Sequence, residues 1–379
     1  MYVDPRVYTH IPHGNACDVE IGPGEEAIEV RFAADPRGGP EALWFCFRVH
    51  IEARGEDDRL TLVLRNPDTL LGGTPATRMR PVVRHGTGEW GRLGTGELQV
   101  LPDGRLEVAW TVVPEAAYFD MAYCYPYGAA ELSQLIRDTE PFYAVDSIGV
   151  SQGGRPLLRL SNQYGSQGST RPGLYLIARQ HAGETPGSWV LDGFLRAMAE
   201  APEVAPLLWA VPFADTDGVE QGDYGKDAFP YDLNRAWSTP PMRHEAVVIG
   251  ADIRHWQDRC EPALLMDLHA PGGCENDGIY AFLPQSSEIE EYCKATDFWA
   301  ATMGRALGSD FAAPDFARQA TYPSRWPTPT LSAFCCLNDI PGFTLEVPYA
   351  LIGDRVLSRE DYQEAGRRMA HGVIDALRG

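Results

Sequence analysis

The stretch Leu174-Tyr-Leu-Ile-Ala178, followed at once by Arg179-Gln-His181-Ala-Gly-Glu184-Thr185-Pro186 and a helical run from Trp189 to Ala199, decides the fold. Five apolar residues without a break read as a strand buried on both faces, the kind that parallel sheets use. Thr185 before Pro186 reads as an N-cap with proline at the first helical position, so a helix starts there. The corner between the two lies at the carboxyl edge of a sheet, where open α/β folds build their sites. His181 and Glu184 occupy that corner. An imidazole nitrogen and a carboxylate oxygen three residues apart can converge on one Zn²⁺, although a chance His-x-x-Glu arises easily in a chain with nine histidines.

Downstream, the same texture continues. Leu207 to Val211, Ala263 to Leu268, Ile279 to Leu283 and Phe343 to Val347 are short buried-strand candidates, and Ala246 to Trp256 is helical. Such alternation predicts an α/β domain with a largely buried sheet. The connection from Ala214 to Ala236 is too long for a plain link and points to function. Upstream, the texture is different. Leu43 to Ile51, Leu60 to Leu64, Leu106 to Val112 and Tyr118 to Tyr123 are β-rich, punctuated by Asn66-Pro67-Asp68, Gly72-Gly73 and Pro102-Asp103-Gly104. These predict an all-β sandwich over residues 1–128 ahead of an α/β catalytic domain over residues 129–379.

Composition narrows the classes. The 379 residues exceed what one compact core needs, and 44% apolar with 22% charged residues is ordinary for a globular chain. A net charge of −21 repels nucleic acid and anionic lipid, and no window reaches the ~18 apolar residues of a membrane span. Eight cysteines without a CxxC pair, and a start lacking a basic and then apolar leader, favour a cytoplasmic protein without a disulfide framework. Of the 32 basic residues only Lys226 and Lys294 are lysines, and Lys226 falls inside the long loop.

Three further signals join the first. Met266-Asp267-Leu268-His269 puts a second imidazole at the carboxyl end of a strand. A lone histidine there would pass for a core residue; together with His181 and Glu184 it leaves a fourth zinc position open, as catalytic sites do. Asp267 suits either a bond orienting a ligand or a sheet-edge role. Asp232-Leu233-Asn234-Arg235 offers a planar guanidinium fork with an amide donor beside it, suited to a terminal carboxylate. In Gly342-Phe-Thr-Leu-Glu346-Val-Pro-Tyr349 a carboxylate interrupts an apolar strand, which is costly unless it faces charge. A metal-activated water is such a neighbour, and Glu346 is positioned by type to take its proton.

The ordered set HxxE, DLNR, DLHA and TLEV resembles the M14 zinc carboxypeptidases, in particular the cytosolic carboxypeptidases and their bacterial relatives. Ala178-Arg-Gln-His-Ala-Gly-Glu-Thr-Pro-Gly-Ser-Trp189 is similar to that branch almost residue for residue. Tyr118-Phe-Asp-Met-Ala-Tyr-Cys-Tyr-Pro-Tyr127 resembles the end of the branch's N-terminal β-domain, so the likeness covers both regions. The resemblance implies a mixed eight-stranded sheet between helices and one Zn²⁺ per chain on His181, Glu184 and His269. It makes Glu346 the general base, and Asn234 with Arg235 the pair that binds a peptide or protein C-terminus. It also implies a leaning toward C-terminal glutamate, for which Arg325 is the pocket residue expected from the sequence.

The chain departs from the pattern in places. Gly183 stands where pancreatic-type members carry arginine, and Asp223-Tyr-Gly-Lys226 replaces an Asn-Tyr-Arg, leaving Lys226 as candidate to polarise the scissile carbonyl. Tyr322 is the nearest match to the tyrosine that covers the substrate, two residues off the expected spacing. Two alternatives share parts of this set: an aspartoacylase-like zinc amidohydrolase of N-acyl amino acids, and an inactive carboxylate-binding module. The oligomeric state is not legible from the sequence.

Overall fold

The computed structural model describes residues 5–24, 27–37, 39–51, 59–284, 290–319 and 330–378. At its centre is an eight-stranded mixed sheet in the order Ala144–Val150, Pro156–Ser161, Leu207–Val211, Pro172–Ala178, Glu261–His269, Gly342–Glu346, Ile279–Leu283, Ala312–Gln319. The four inner strands from Leu207–Val211 to Gly342–Glu346 run parallel, so their carboxyl ends share one edge. Side chains alternate between two buried faces. Leu174, Leu176, Met266, Leu268, Phe343 and Leu345 face the helices Thr185–Glu200, Glu290–Leu307 and Arg359–Arg378. Tyr175, Ile177, Trp209, Val211 and Leu265 face His244–Gln257 and Leu331–Leu337. Burial on both faces explains why these strands read as continuous apolar runs.

Residues N-terminal to this sheet form two five-stranded sheets. One, ordered Arg6–Tyr8, Cys46–His50, Tyr118–Ala122, Val82–His85, Trp90–Arg92, is antiparallel throughout. The other, ordered Cys17–Pro23, Ile28–Ala33, Leu60–Leu64, Leu106–Val112, Glu97–Val100, contains one parallel pair, Ile28–Ala33 with Leu60–Leu64. Phe32, Phe45, Phe47, Leu62 and Phe119 pack between them, with the Phe32 and Phe45 rings edge to face at 5.1 Å. This is the expected sandwich.

The two stretches that carried the resemblance meet in space. Tyr127 and Trp189 stack edge to face at 4.8 Å, the Trp189 indole donates to Tyr125 O, and the Tyr127 hydroxyl donates to Asp192. The loop after Leu70 is tied to the loop after His269 by two backbone bonds, Gly273 N–H to Leu71 O and Cys274 N–H to Gly72 O. The β-region therefore forms a wall beside the edge where the inner strands end.

Candidate metal centre and substrate cleft

The corner after Pro172–Ala178 is held from beneath. Arg179 adopts φ +62° and buries its guanidinium, donating to Ala182 O and to Tyr127 O. The helix begins at Thr185, and Glu184 stands in the N-cap position. This corrects the expectation that Thr185 is the cap: its hydroxyl has no partner, and the turn is held instead by Arg179 donating to Ala182 O. The Glu184 carboxylate does not cap the helix either. Oε1 lies 2.9 Å from His181 Nδ1, while Oε2 lies 2.7 Å from His269 Nδ1 and accepts the Ala270 N–H. The two Nδ1 atoms are 3.1 Å apart.

Three donors thus converge within hydrogen-bond distance of one another. A tetrahedral zinc with bonds of ~2.0–2.2 Å has ligand–ligand edges of ~3.3 Å, so the triad is slightly tighter than a zinc cage and needs only a small expansion to take the ion. The donor set fits Zn²⁺, with nitrogen and oxygen ligands and a fourth side left open. Both imidazoles turn Nδ1 inward and rest Nε2 on a carboxylate: His181 on Asp232 at 3.1 Å, His269 on Asp267 at 2.9 Å. That is the usual outer arrangement of metal-ligating histidines.

Electrostatics point the same way. Burial pulls both imidazoles down, yet Glu184 and Asp232 around one, and Asp267 and Glu184 around the other, hold them above the ordinary histidine range. Burial pushes Glu184 up, but His181, Lys226 and His269 outweigh it and keep the carboxylate well below its usual range. Buried carboxylates converging on two imidazoles make a pocket that calls for a cation.

Glu346 ends the neighbouring strand, in register with His269. It is only 5% exposed, its Oε2 has no hydrogen-bond partner, and burial pushes its carboxyl up to about 7 against the pull of Lys226. It lines a cavity of about 370 Å³ together with Lys226, Asp227, Arg235 and Tyr280, and with Glu41, Leu71 and Gly72 from the β-region. Arg235 rides on a 3₁₀ turn, Leu233–Arg235, that Asp232 caps by accepting the Asn234 N–H at 2.8 Å. Asn234 turns inward: its Oδ1 accepts the Leu331 N–H, and its amide nitrogen sits 3.3 Å from His269 Nε2. It is not among the residues lining the cavity.

Lys226 Nζ lies 3.5 Å from Glu184 Oε1, placing its charge beside the triad. Gly225 before it has φ +88°, and a Cβ there would sit 2.7 Å from Ala182 N, so only glycine lets the loop pass the corner. Gly183, where the pancreatic pattern has arginine, is closed by packing: a Cβ would lie 2.9 Å from Trp44 Cβ and 3.1 Å from Tyr224 Cα. Gly183→Ala should cost about 1–3 kcal/mol by overpacking, seen as a lowered thermal midpoint; an unchanged midpoint would show that Trp44 yields freely.

Tyr322 and Arg325 lie outside the described residues. Three residues close to the site received no role from the sequence: Asp232, within the quoted motif, and Gln180 and Trp237, whose contacts cross 87 and 57 positions. Among the described residues no helix is long and apolar enough to cross a membrane, and no disulfide forms.

A buried His–Glu–His triad beside a carboxylate whose Oε2 lacks a hydrogen-bond partner, at the edge where parallel strands end, has the make-up of a metal-dependent hydrolase site. Residues 129–267 match the zinc carboxypeptidase family model. Over those residues the chain is similar to the zinc carboxypeptidases, a family of peptide hydrolases. An uncharacterized protein of Zymomonas mobilis is 28% identical over 75% of this chain and 71% of its own. Cytosolic carboxypeptidase 6 of Mus musculus is 25% identical over 69% of this chain and 52% of its own, so the chain spans about half the length of that relative. Solved folds agree over nearly the whole chain. A metallo-carboxypeptidase from Burkholderia cenocepacia superposes with TM-score 0.77 at 21% identity, covering 99% of each chain. One from Pseudomonas aeruginosa, in complex with (2-guanidinoethylmercapto)succinic acid, gives 0.75 at 18%, covering 98% and 99%.

Proposed function

We propose that the chain is a cytoplasmic zinc carboxypeptidase that removes the C-terminal residue of a peptide or protein, with residues 129–379 as its catalytic unit and residues 1–128 as one wall of the cleft. The observation that carries the reading is the buried Glu346 carboxylate, on the strand next to the one that bears His269: its Oε2 is without a hydrogen-bond partner and it shares a cavity with Arg235. His181, Glu184 and His269 would hold one zinc per chain. When bound, the ion supplies a Lewis acid that lowers the pKa of water and polarises the scissile carbonyl. Glu346 takes a proton from the attacking water and returns it to the leaving amine. Its desolvated carboxyl, with a pKa raised to about 7, suits both directions.

Arg235 binds the substrate's terminal carboxylate and so sets the exopeptidase register. Asn234, with Oδ1 committed to the Leu331 N–H, braces that arginine's turn, and Arg235 in turn donates to Asn234 O at 2.8 Å. Lys226 adds positive charge on the triad side, where negative charge would develop on the scissile carbonyl oxygen. For terminal-residue preference, the glutamate reading rests on the branch resemblance and on Arg325; within the described lining of the cavity the cations are Lys226 and Arg235.

A matched pair of peptides, free acid and C-terminal amide, tests the register. Arg235→Ala should lose ~2–4 kcal/mol of kcat/KM on the free acid, the scale of a removed charge-assisted contact, and little on the amide. Equal turnover of both peptides by the wild-type enzyme would end the exopeptidase reading.

A further inference from the structure

We infer that Trp237 and Gln180 are positioning residues for the metal centre, acting through Asp267 to decide which ring nitrogen of His269 faces the ion. The inference rests on the metal reading above. Trp237 Nε1–H donates to Gln180 Oε1 at 2.7 Å, Gln180 Nε2 donates to Asp267 Oδ2 at 2.6 Å, and the same oxygen lies 2.9 Å from His269 Nε2. The run is sealed from solvent: Trp237 is 3% exposed, His269 1%, and Gln180 and Asp267 0%.

The polarity from Trp237 to Asp267 has one solution. An indole N–H donates and cannot accept, so Gln180 must turn its carbonyl oxygen to Trp237. Its amide nitrogen then faces Asp267, which makes Oδ2 an acceptor. His269 Nε2 lies between that carboxylate at 2.9 Å and the Asn234 amide nitrogen at 3.3 Å; the shorter, charged contact favours a proton on Nε2 of a neutral His269, with the Nδ1 lone pair toward Glu184 Oε2 and His181 Nδ1. A flipped Gln180 would set its amide against an indole N–H and its oxygen against a carboxylate, both repulsive in a buried site. Asp267 Oδ1 has no partner, so Oδ2 bears the whole contact.

The two histidines are secured by different means. Asp232, behind His181, accepts backbone N–H groups from Asn234 and Asp227, which cannot be mutated away. Asp267, behind His269, is held by side chains alone. The relay is therefore the part of the outer shell that substitution can switch off. Through Gln180 and Asp267 it also ties the strand bearing His269 to Trp237, two residues beyond Arg235, and Trp237 itself packs on Phe334 at 5.5 Å.

Trp237→Phe removes the N–H and keeps a ring against Phe334; Gln180→Met keeps length and removes both polar groups. For each, the zinc dissociation constant is measured by chelator competition, the absorption spectrum is recorded with cobalt in place of zinc, and the thermal midpoint is taken without metal. Gln180→Met should weaken zinc ~10–100-fold, with a shifted cobalt spectrum, and Trp237→Phe should follow at the smaller end of that range. Variants that melt earlier but keep wild-type zinc affinity and cobalt spectrum overturn the relay. Wild-type protein that takes up no zinc overturns the metal reading itself, and the relay with it.

Discussion

Glu346→Gln should leave zinc content and thermal midpoint near wild type while lowering kcat by ~10²–10⁴-fold, the usual scale for lost general acid–base help. The amide is almost isosteric with the carboxyl, so the strand Gly342–Glu346 keeps its packing between Glu261–His269 and Ile279–Leu283. The side chain has no partner on Oε2, so no internal bond is forfeited there. What disappears is the group able to hold a proton between water and amine. A structural carboxylate would behave in the opposite way, with the midpoint falling and turnover per folded molecule preserved. Near-normal kcat on a good peptide substrate, measured at saturation, would remove Glu346 from the reaction.

His269→Ala should abolish stable zinc binding and lower activity by several kcal/mol, ~10³-fold or more. The substitution deletes one of three donors and leaves Glu184 Oε2 with the Ala270 N–H alone. It also strips Asp267 Oδ2 of its imidazole, leaving only Gln180. Metal analysis after dialysis against a chelator checks the first effect, with about one zinc per chain expected for wild type and near zero for the variant. One equivalent retained at wild-type affinity would mean that the ion is held elsewhere.

The two substitutions separate the roles cleanly. Glu346→Gln should keep the metal and lose the rate, whereas His269→Ala should lose both.

Legibility in the sequence followed burial. Leu207–Val211 and Ile279–Leu283 were predicted with the bounds observed, because both are apolar runs within a sheet covered on both faces. Exposed edge strands gave no such signal. Cys17–Pro23, Glu97–Val100 and Ala144–Val150 are mostly exposed and carry no continuous apolar run, so none was anticipated. The cap of the long helix was missed by one position: local preference favours Thr185, but the turn answers to Glu184 and to Arg179 below it.

By itself, the sequence determined the donor types and their local settings: imidazole and carboxylate at a strand-to-helix corner, imidazole at a strand end, carboxylate in an apolar strand, guanidinium in a long loop. These are short-range properties, written within a few residues of each position. Only the tertiary structure decided that His181 and His269, 88 positions apart, bring Nδ1 within 3.1 Å of Nδ1. It also turned Asn234 inward, closed Gly183 with Trp44 from the β-region, and strung Trp237, Gln180 and Asp267 into one line. The physical reason is that strand register and sheet order bring together residues whose spacing along the chain carries no trace of their contact. In a buried site, each polar atom must then find its partner among whatever the fold delivers there.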